Sequence, residues 1–148
     1  MTVGIVGLGL IGGSFAKAYH EAGATVLAWN RSRSVLDFAI MSGAVDAELT
    51  EDNIAACDLV LIALYPEATI EWFRRMAPHI GAHPVVLDCG GTKRTICAAC
   101  FPIAKEHGVT FLGGHPMAGT QYSGFGHARA NLYHNAPMVI VPVSYTHL

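Results

Sequence analysis

The sequence predicts an α/β fold of the doubly wound Rossmann type, in which a mostly parallel sheet has helices on both faces. Short apolar runs, such as residues 59–65 and 138–143, alternate with longer stretches in which apolar residues recur with a 3.6-residue period. Apolar residues make up 52% of the 148 residues and charged residues 14%. Because parallel strands are buried on both faces, they account for this apolar excess.

The individual elements follow from local patterns. Gly23 is placed to end a first helix, and Pro66 fits the first turn of a later one. Strands are predicted over residues 2–6, 25–29, 58–64, 84–88, 109–112 and 137–143. Helices are predicted over residues 10–22, from the polar turn 30–34 to about 43, over 66–80 and 92–106, and near 126–134, with a short one over 51–57.

Composition and charge narrow the function classes. A bilayer-spanning helix needs about 20 apolar residues, and the apolar runs are much shorter. The net charge is -2 and Lys and Arg form no long block, so we expect neither nucleic acid nor a membrane as partner. The glycine-rich start lacks the basic region of a secretory signal, and we expect a cytoplasmic protein.

The four cysteines do not form a recognisable metal or redox motif. Cys97 and Cys100 lie inside a predicted helix, away from the N-terminus where a thiol would be activated. No second CxxC pair accompanies them. We expect buried thiols and no metal site.

A GxGxxG motif stands directly after a predicted strand and directly before a predicted helix, which is typical of a Rossmann-type dinucleotide-binding turn. Gly7 permits the tight turn, Gly9 lets the backbone approach a pyrophosphate, and Gly12 lets the helix pack on the strand. The predicted cofactor-binding residues of this turn are Gly7, Leu8, Gly9, Leu10, Ile11 and Gly12.

The turn after the second strand predicts which dinucleotide is bound. NAD-binding folds usually carry an Asp or Glu for the ribose hydroxyls at this point, where the chain has Asn30. Arg31 and Arg33 follow, and either they neutralise a 2′-phosphate or they are solvated surface residues. We expect NADP, with NAD as the alternative, and contacts from Asn30, Arg31 and Ser32.

Two further strand ends are expected at the same edge, because open α/β sheets bind ligands at the carboxyl ends of their strands. Ala63, Leu64 and Pro66 lie at one of these ends, and Gly90 follows another. All four are predicted to lie against the dinucleotide. Tyr65 either stacks on it or faces solvent.

His115 is the candidate catalytic residue. It follows two glycines and precedes Pro116, and this predicts a tight, fixed loop rather than a helix face. A catalytic base must be held still relative to the reacting atoms. A neutral imidazole, with a reference pKa near 6.5, is suited to accept a proton at pH 7.

These segments resemble the prephenate/arogenate dehydrogenase family over nearly all of residues 3–142. GGHPMAG is the most specific of them, because β-hydroxyacid dehydrogenases and imine reductases share the glycine fingerprint but not this histidine loop. The matching segments, in order, are residues 9–14 (GLIGGS), 88–93 (DCGGTK), 113–119 (GGHPMAG), 123–124, 128–132 and 135–137.

The resemblance implies an oxidative decarboxylation in the biosynthesis of tyrosine, an aromatic amino acid. Prephenate would lose a hydride to NAD(P)+ and a carboxylate as CO₂, giving 4-hydroxyphenylpyruvate, with His115 accepting the hydroxyl proton. The family usually has DxGSxK, and here Gly91 stands in place of the serine, with Thr92 next. Thr92 is a candidate catalytic hydroxyl in its place. Lys93 is expected to reach a phosphate, a nearby carboxylate or the helix start.

The family's second domain, which is helical and forms the homodimer and part of the substrate pocket, is not expected in this chain. Residues 1–143 are interpreted as the NAD(P)-binding domain and 144–148 as a tail left by truncation. This chain alone is expected to bind cofactor weakly and to have little turnover. Prephenate and arogenate both stay open as substrates, as does feedback control by tyrosine. The alternatives are a non-catalytic NAD(P)-binding module and an enzyme of the β-hydroxyacid or imine reductase type.

Overall fold

The structure, a computed structural model, describes residues 1–142. Two short 3-10 turns, Ile54–Ala56 and Phe125–His127, accompany the strands and helices. The elements are β1 (Thr2–Val6), α1 (Leu10–Glu21), β2 (Thr25–Trp29), α2 (Arg33–Met41), β3 (Ala47–Glu48), β4 (Leu59–Ile62), α3 (Pro66–Ile80), β5 (Val85–Asp88), α4 (Arg94–His107), β6 (Thr110–Pro116) and β7 (Met138–Val141).

The strands form one sheet in the order β3-β2-β1-β4-β5-β6-β7. All neighbours pair in parallel except β6 and β7, which are antiparallel. The chain builds outward from β1 in one direction and then, from β4, in the other. The order therefore reverses between β1 and β4, the kind of switch point at which open α/β sheets bind ligands.

Both faces of the sheet are covered, as the alternation of side chains along each strand requires. Val60 and Ile62 of β4 pack with α3 and α4, while Leu61 between them packs on the opposite side with α1 and α2. On the first side, the rings of Phe73 and Phe111 pack with their centroids 4.8 Å apart. The predicted doubly wound α/β fold is confirmed.

Several predicted elements have the observed bounds, and others do not. The strands over 2–6 and 25–29 and the helix over 66–80 are confirmed. The two-residue strand β3 was not predicted, because it is too short to show a period. The helix expected over 51–57 is only the 3-10 turn Ile54–Ala56. Residue 143 and the tail 144–148 lie outside the described residues.

The helix predicted near residues 126–134 is wrong. Only Phe125–His127 is helical, as a 3-10 turn, and Ala128 then has extended backbone with φ -67° and ψ 141°. Residues 130–135 form turns, and two backbone groups just before them bond to α1. The ammonium of Lys17 donates to the Ala128 carbonyl at 2.7 Å, and the Ser14 hydroxyl accepts from the Arg129 amide at 3.1 Å.

The predicted strand 109–112 is too short, and His115 lies in a strand rather than in a loop. β6 continues to Pro116 because β7 pairs with it in antiparallel register, His115 opposite Val139. The pairing holds the histidine backbone on the β7 side, whereas β5 pairs with β6 only as far as Gly113. In the part of the chain that the structure describes, no helix has the length and apolar character needed to cross a bilayer.

A matched pair of methionines tests where the core lies. Met76 is 5% exposed in the core between α3 and the sheet, whereas Met41, at the end of α2, is 86% exposed. We expect Met76→Ala to lower the free energy of unfolding by about 2–5 kcal/mol, because it leaves a cavity. Met41→Ala should change it by less than about 0.5 kcal/mol. Urea denaturation measures both, and equal effects would contradict this assignment of the core.

Candidate functional site

The turn between β1 and α1 depends on two close contacts that only glycine allows. Gly7 has φ +92°, and a Cβ there would lie 2.5 Å from the carbonyl oxygen of Ala63. A Cβ on Gly12 would lie 1.8 Å from the carbonyl oxygen of Gly7. α1 therefore packs against the end of β1 more closely than any side chain at position 12 would permit.

Gly9 differs from its two neighbours in the motif. It is the N-cap residue of α1, no side chain caps the helix there, and an added Cβ would meet no atom within 4 Å. The first turn of α1 thus presents backbone amides and the positive end of the helix dipole beyond the strand ends. This arrangement is suited to a phosphate or diphosphate group.

Asn30 ties the turn after β2 to the glycine turn. Its Oδ1 accepts a hydrogen bond from the Leu8 amide at 2.9 Å, and its Nδ2 donates to the Ser32 carbonyl at 3.1 Å. This bond was not predicted from the sequence, where Asn30 is expected as a cofactor contact, because a bond across 22 residues leaves no local signal. The side chain thereby fixes the distance between the phosphate end and the ribose end of the candidate site.

The two arginines of this turn have different surroundings. Arg33 forms ion pairs with Glu48, Nη1 to Oε2 at 2.8 Å, and with Asp37, Nε to Oδ1 at 3.1 Å. The hydrogen bond with Glu48 and the charges of both carboxylates raise the pKa of Arg33. Arg31 is exposed and makes no ion pair within residues 1–142. Of the two cations, Arg31 is the one left unpaired for a ligand.

The end of β4 lies against the glycine turn. The Ala63 amide donates to the Val6 carbonyl at 2.7 Å, which brings the Ala63 carbonyl beside Gly7. Leu64 and Pro66 follow at the start of α3, half-buried. Tyr65 is 88% exposed, so it faces solvent in this structure.

A buried ion pair organises the turn between β5 and α4. Asp88 is fully buried, its Oδ1 accepts from the Gly90 amide at 2.8 Å, and its Oδ2 pairs with the ammonium of Lys93. Of the three partners expected for Lys93, the structure therefore has the nearby carboxylate. Because a buried carboxylate without a counter-charge is costly, the pair fixes the turn and the residues between its ends.

His115 lies at the same edge of the sheet as the glycine turn. The strand register runs from Val6 to Ile62, from Ile62 to Asp88 and from Asp88 to Gly113, so β1, β4 and β5 end at one level and β6 continues three residues beyond it. The imidazole of His115, two residues beyond Gly113 in β6, faces the turn that Asp88 begins. The sheet thus brings the glycine turn and the histidine to one edge.

The imidazole of His115 faces Gly91. A Cβ at position 91 would lie 3.7 Å from Cε1 and 4.0 Å from Nδ1, and Nδ1 is buried without a hydrogen-bond partner in residues 1–142. A serine hydroxyl at position 91 would therefore be within reach of Nδ1. Thr92 is exposed, and within the described part of the chain its hydroxyl makes no hydrogen bond. A catalytic role for Thr92 stays a prediction.

The segment after the histidine packs on α1. The ring of Tyr133 stacks on Phe15 with centroids 4.6 Å apart and planes 8° apart. Burial raises the pKa of Tyr133 to about 12. These contacts, with the bonds from Lys17 and Ser14, were not predicted, because no local pattern links positions more than 100 residues apart.

The cysteines are buried free thiols, as expected. Burial raises the pKa of Cys89 and of Cys100 to about 12, so both are protonated at neutral pH. Within residues 1–142, no group of three or more His, Cys, Asp or Glu side chains is arranged to hold a metal ion.

A family model described as "Prephenate dehydrogenase, nucleotide-binding domain" matches residues 15–147. The chain belongs to this family. The match begins after the glycine turn, which many nucleotide-binding folds share, and includes the turn at 88–93 and the histidine segment at 113–119. The resemblance stated from the sequence is thereby confirmed, and it rests on the more specific part of the chain.

Two relatives of the prephenate dehydrogenase family match nearly the whole of this chain. The chain is 32% identical to a prephenate dehydrogenase of Lactococcus lactis over 146 residues, 95% of this chain and 40% of that protein. It is similar to the crystal structure of Synechocystis arogenate dehydrogenase, with 28% identity and a TM-score of 0.88, covering 99% of this chain and 51% of that one.

A third relative is known with ligands. The prephenate dehydrogenase of Aquifex aeolicus, solved in complex with hydroxyphenyl propionate and NAD+, is 26% identical with a TM-score of 0.77, covering 96% of this chain and 50% of that one. The chain thus spans about half the length, or less, of the relatives that it matches.

The buried ion pair of the 88–93 turn yields a stability test. We expect Lys93→Met to lower the free energy of unfolding by about 3–5 kcal/mol, because Asp88 would be left buried without a counter-charge. Lys105→Met, on the exposed side of α4, removes the same charge and should change stability by less than about 0.5 kcal/mol. Urea denaturation compares them, and equal losses would show that the pair does not support the turn.

Proposed function

We propose that the chain forms the dinucleotide-binding part of a dehydrogenase that oxidatively decarboxylates prephenate or arogenate. The observation that carries this proposal is the common sheet edge of the uncapped α1 N-terminus and the His115 imidazole. A dinucleotide bound with its diphosphate at Gly9 extends along this edge in Rossmann-type folds. Family membership supports the reaction class.

The residues of the glycine turn fit a dinucleotide. Position 9 is open where the other two motif glycines are closely packed, and α1 offers unpaired amides there. When bound, the nicotinamide would accept a hydride from the substrate ring. Ala63, Leu64, Pro66 and Gly90 are the residues of this chain proposed to line its path.

His115 is proposed as the general base. As the hydride leaves ring C4, the C4 hydroxyl must lose its proton, and the imidazole accepts it. The bond from the ring to the carboxylate then breaks, CO₂ leaves, and its electron pair completes the aromatic ring, while the C4 oxygen takes a proton back and becomes the phenol. The chain's own part in this sequence is to hold the imidazole through the backbone of β6 and to receive one proton.

NADP is the proposed cofactor, with NAD as the alternative. Arg31 is exposed and unpaired among the described residues, and no carboxylate directly follows β2. Ser32 adds a hydroxyl in the same turn. These features favour a ligand that carries a 2′-phosphate.

A second candidate function is a binding module without catalysis, and position 91 favours it. With glycine there, no side chain of the described residues fixes the tautomer of His115 through Nδ1.

In the enzyme proposal, the complete protein is a cytoplasmic homodimer whose helical half contributes the rest of the substrate pocket, and the reaction serves tyrosine biosynthesis.

Gly9→Ala tests dinucleotide binding. The new Cβ meets no protein atom, so the free energy of unfolding should change by less than about 1 kcal/mol. It would occupy the place of a diphosphate, and we expect NADPH affinity to fall about tenfold or more, the loss of roughly one charge-assisted hydrogen bond. Gly126→Ala, where an added Cβ also meets nothing within 4 Å, is the control. Fluorescence titration showing equal affinities for both variants would refute the assigned site.

His115→Asn separates the two candidate functions. Turnover of prephenate with NADP+ should fall about 10²–10⁴-fold, while NADPH affinity stays within about twofold. The assay uses this chain joined to the remaining part of the Lactococcus lactis prephenate dehydrogenase, and His134→Asn, at an exposed turn residue, is the control. A loss below tenfold contradicts general-base work by His115. A chimera that binds NADPH but has no turnover with His115 intact favours the binding module.

A further inference from the structure

Glu48 lies beside the turn proposed to read the cofactor's ribose. It belongs to β3, which pairs with the end of β2, Ala28 opposite Glu48. Its backbone is fixed on both sides. The backbone amide of Leu49 donates to the Ala28 carbonyl at 2.7 Å, and the side-chain Nδ2 of Asn53 donates to the Glu48 carbonyl at 2.9 Å.

The carboxylate of Glu48 has one partner among the described residues, the guanidinium of Arg33, at 2.8 Å. Arg33 begins α2, three positions after Asn30, and its side chain is 64% exposed. An exposed ion pair of this kind is weak, because water and salt screen it, so a strong anion can displace it.

A 2′-phosphate would compete with Glu48 for this guanidinium. A phosphate monoester carries about -1.5 to -2 charges at pH 7 and accepts bidentate bonds from arginine. The charges around the turn are balanced: Arg31 and Arg33 are opposed by Asp37 and Glu48. Removing one carboxylate would give the turn a net positive charge and release Arg33 on one side.

We infer that Glu48 is a specificity-determining residue, which sets the preference between NADPH and NADH by holding Arg33 away from the 2′-phosphate. It is a positioning residue that acts through Arg33. The inference rests on the proposed dinucleotide binding. It explains why, among the described residues, Arg33 of this turn is paired with carboxylates and Arg31 is not. Replacing Glu48 by a neutral residue should strengthen the preference for NADPH.

The test compares dissociation constants of NADPH and NADH, measured by fluorescence titration of the purified chain. We expect Glu48→Gln to bind NADPH about two- to fivefold more tightly, the equivalent of one exposed ion pair, with NADH affinity unchanged within about 1.5-fold. Glu48→Asp keeps the charge and should restore the wild-type ratio. Glu51→Gln, which removes a carboxylate that contacts His79 instead, should leave the ratio unchanged.

An Arg33→Gln background separates release of Arg33 from simple charge repulsion. There, adding Glu48→Gln should no longer improve NADPH binding. The inference is overturned if the ratio of the two affinities is the same in Glu48→Gln and wild type, or if the gain persists without Arg33. Failure of the wild type to bind either dinucleotide would defeat the proposed function itself. Binding with an unaltered ratio defeats only the role of Glu48.

Discussion

The contact between α1 and the end of β1 determines where every candidate residue lies. With only hydrogen on Gly12, the helix approaches the Gly7 carbonyl so closely that a Cβ would lie 1.8 Å from its oxygen. The helix terminus is therefore held at the strand ends, with its first amides beyond the sheet. A wider spacing would move those amides away from the edge, and the side-chain bond from Asn30 to Leu8 would no longer close.

The parallel strand register determines where His115 lies relative to the end of β1. Val6, Ile62, Asp88 and Gly113 are paired in sequence, so β1, β4 and β5 end at one level and β6 continues three residues beyond it. Two of the turns that follow are fixed by local contacts: close glycine packing after β1 and a buried ion pair after β5. β7 then adds an antiparallel partner that extends β6 to Pro116. The site is thus a set of separately fixed turns on one rigid edge.

The sequence was sufficient wherever one segment contains the whole determinant. Residues 2–6 and 66–80 carry complete strand and helix patterns, and the glycine turn, Asp88 and Lys93 belong to single motifs. It failed where a partner is distant. The segment 126–134 has a helical pattern, but Ser14 bonds across 115 residues to its backbone and replaces helical bonds. Glu48 was missed because only the pairing of β3 with β2 brings it to Arg33.

The two ends of the candidate site are held by different means. At the nucleotide end, Asn30 and the glycine contacts fix the backbone through side-chain bonds and packing. At the histidine end, Gly91 leaves Nδ1 of His115 without a partner, so no hydrogen bond at Nδ1 from the described residues orients the imidazole. Strand pairing fixes the position of the His115 backbone but not the tautomer of the imidazole. The tautomer depends on the hydrogen bonds that the ring nitrogens make. The glycine turn is therefore fixed by contacts within the described residues, whereas the tautomer of His115, on which the proposed proton transfer depends, is not.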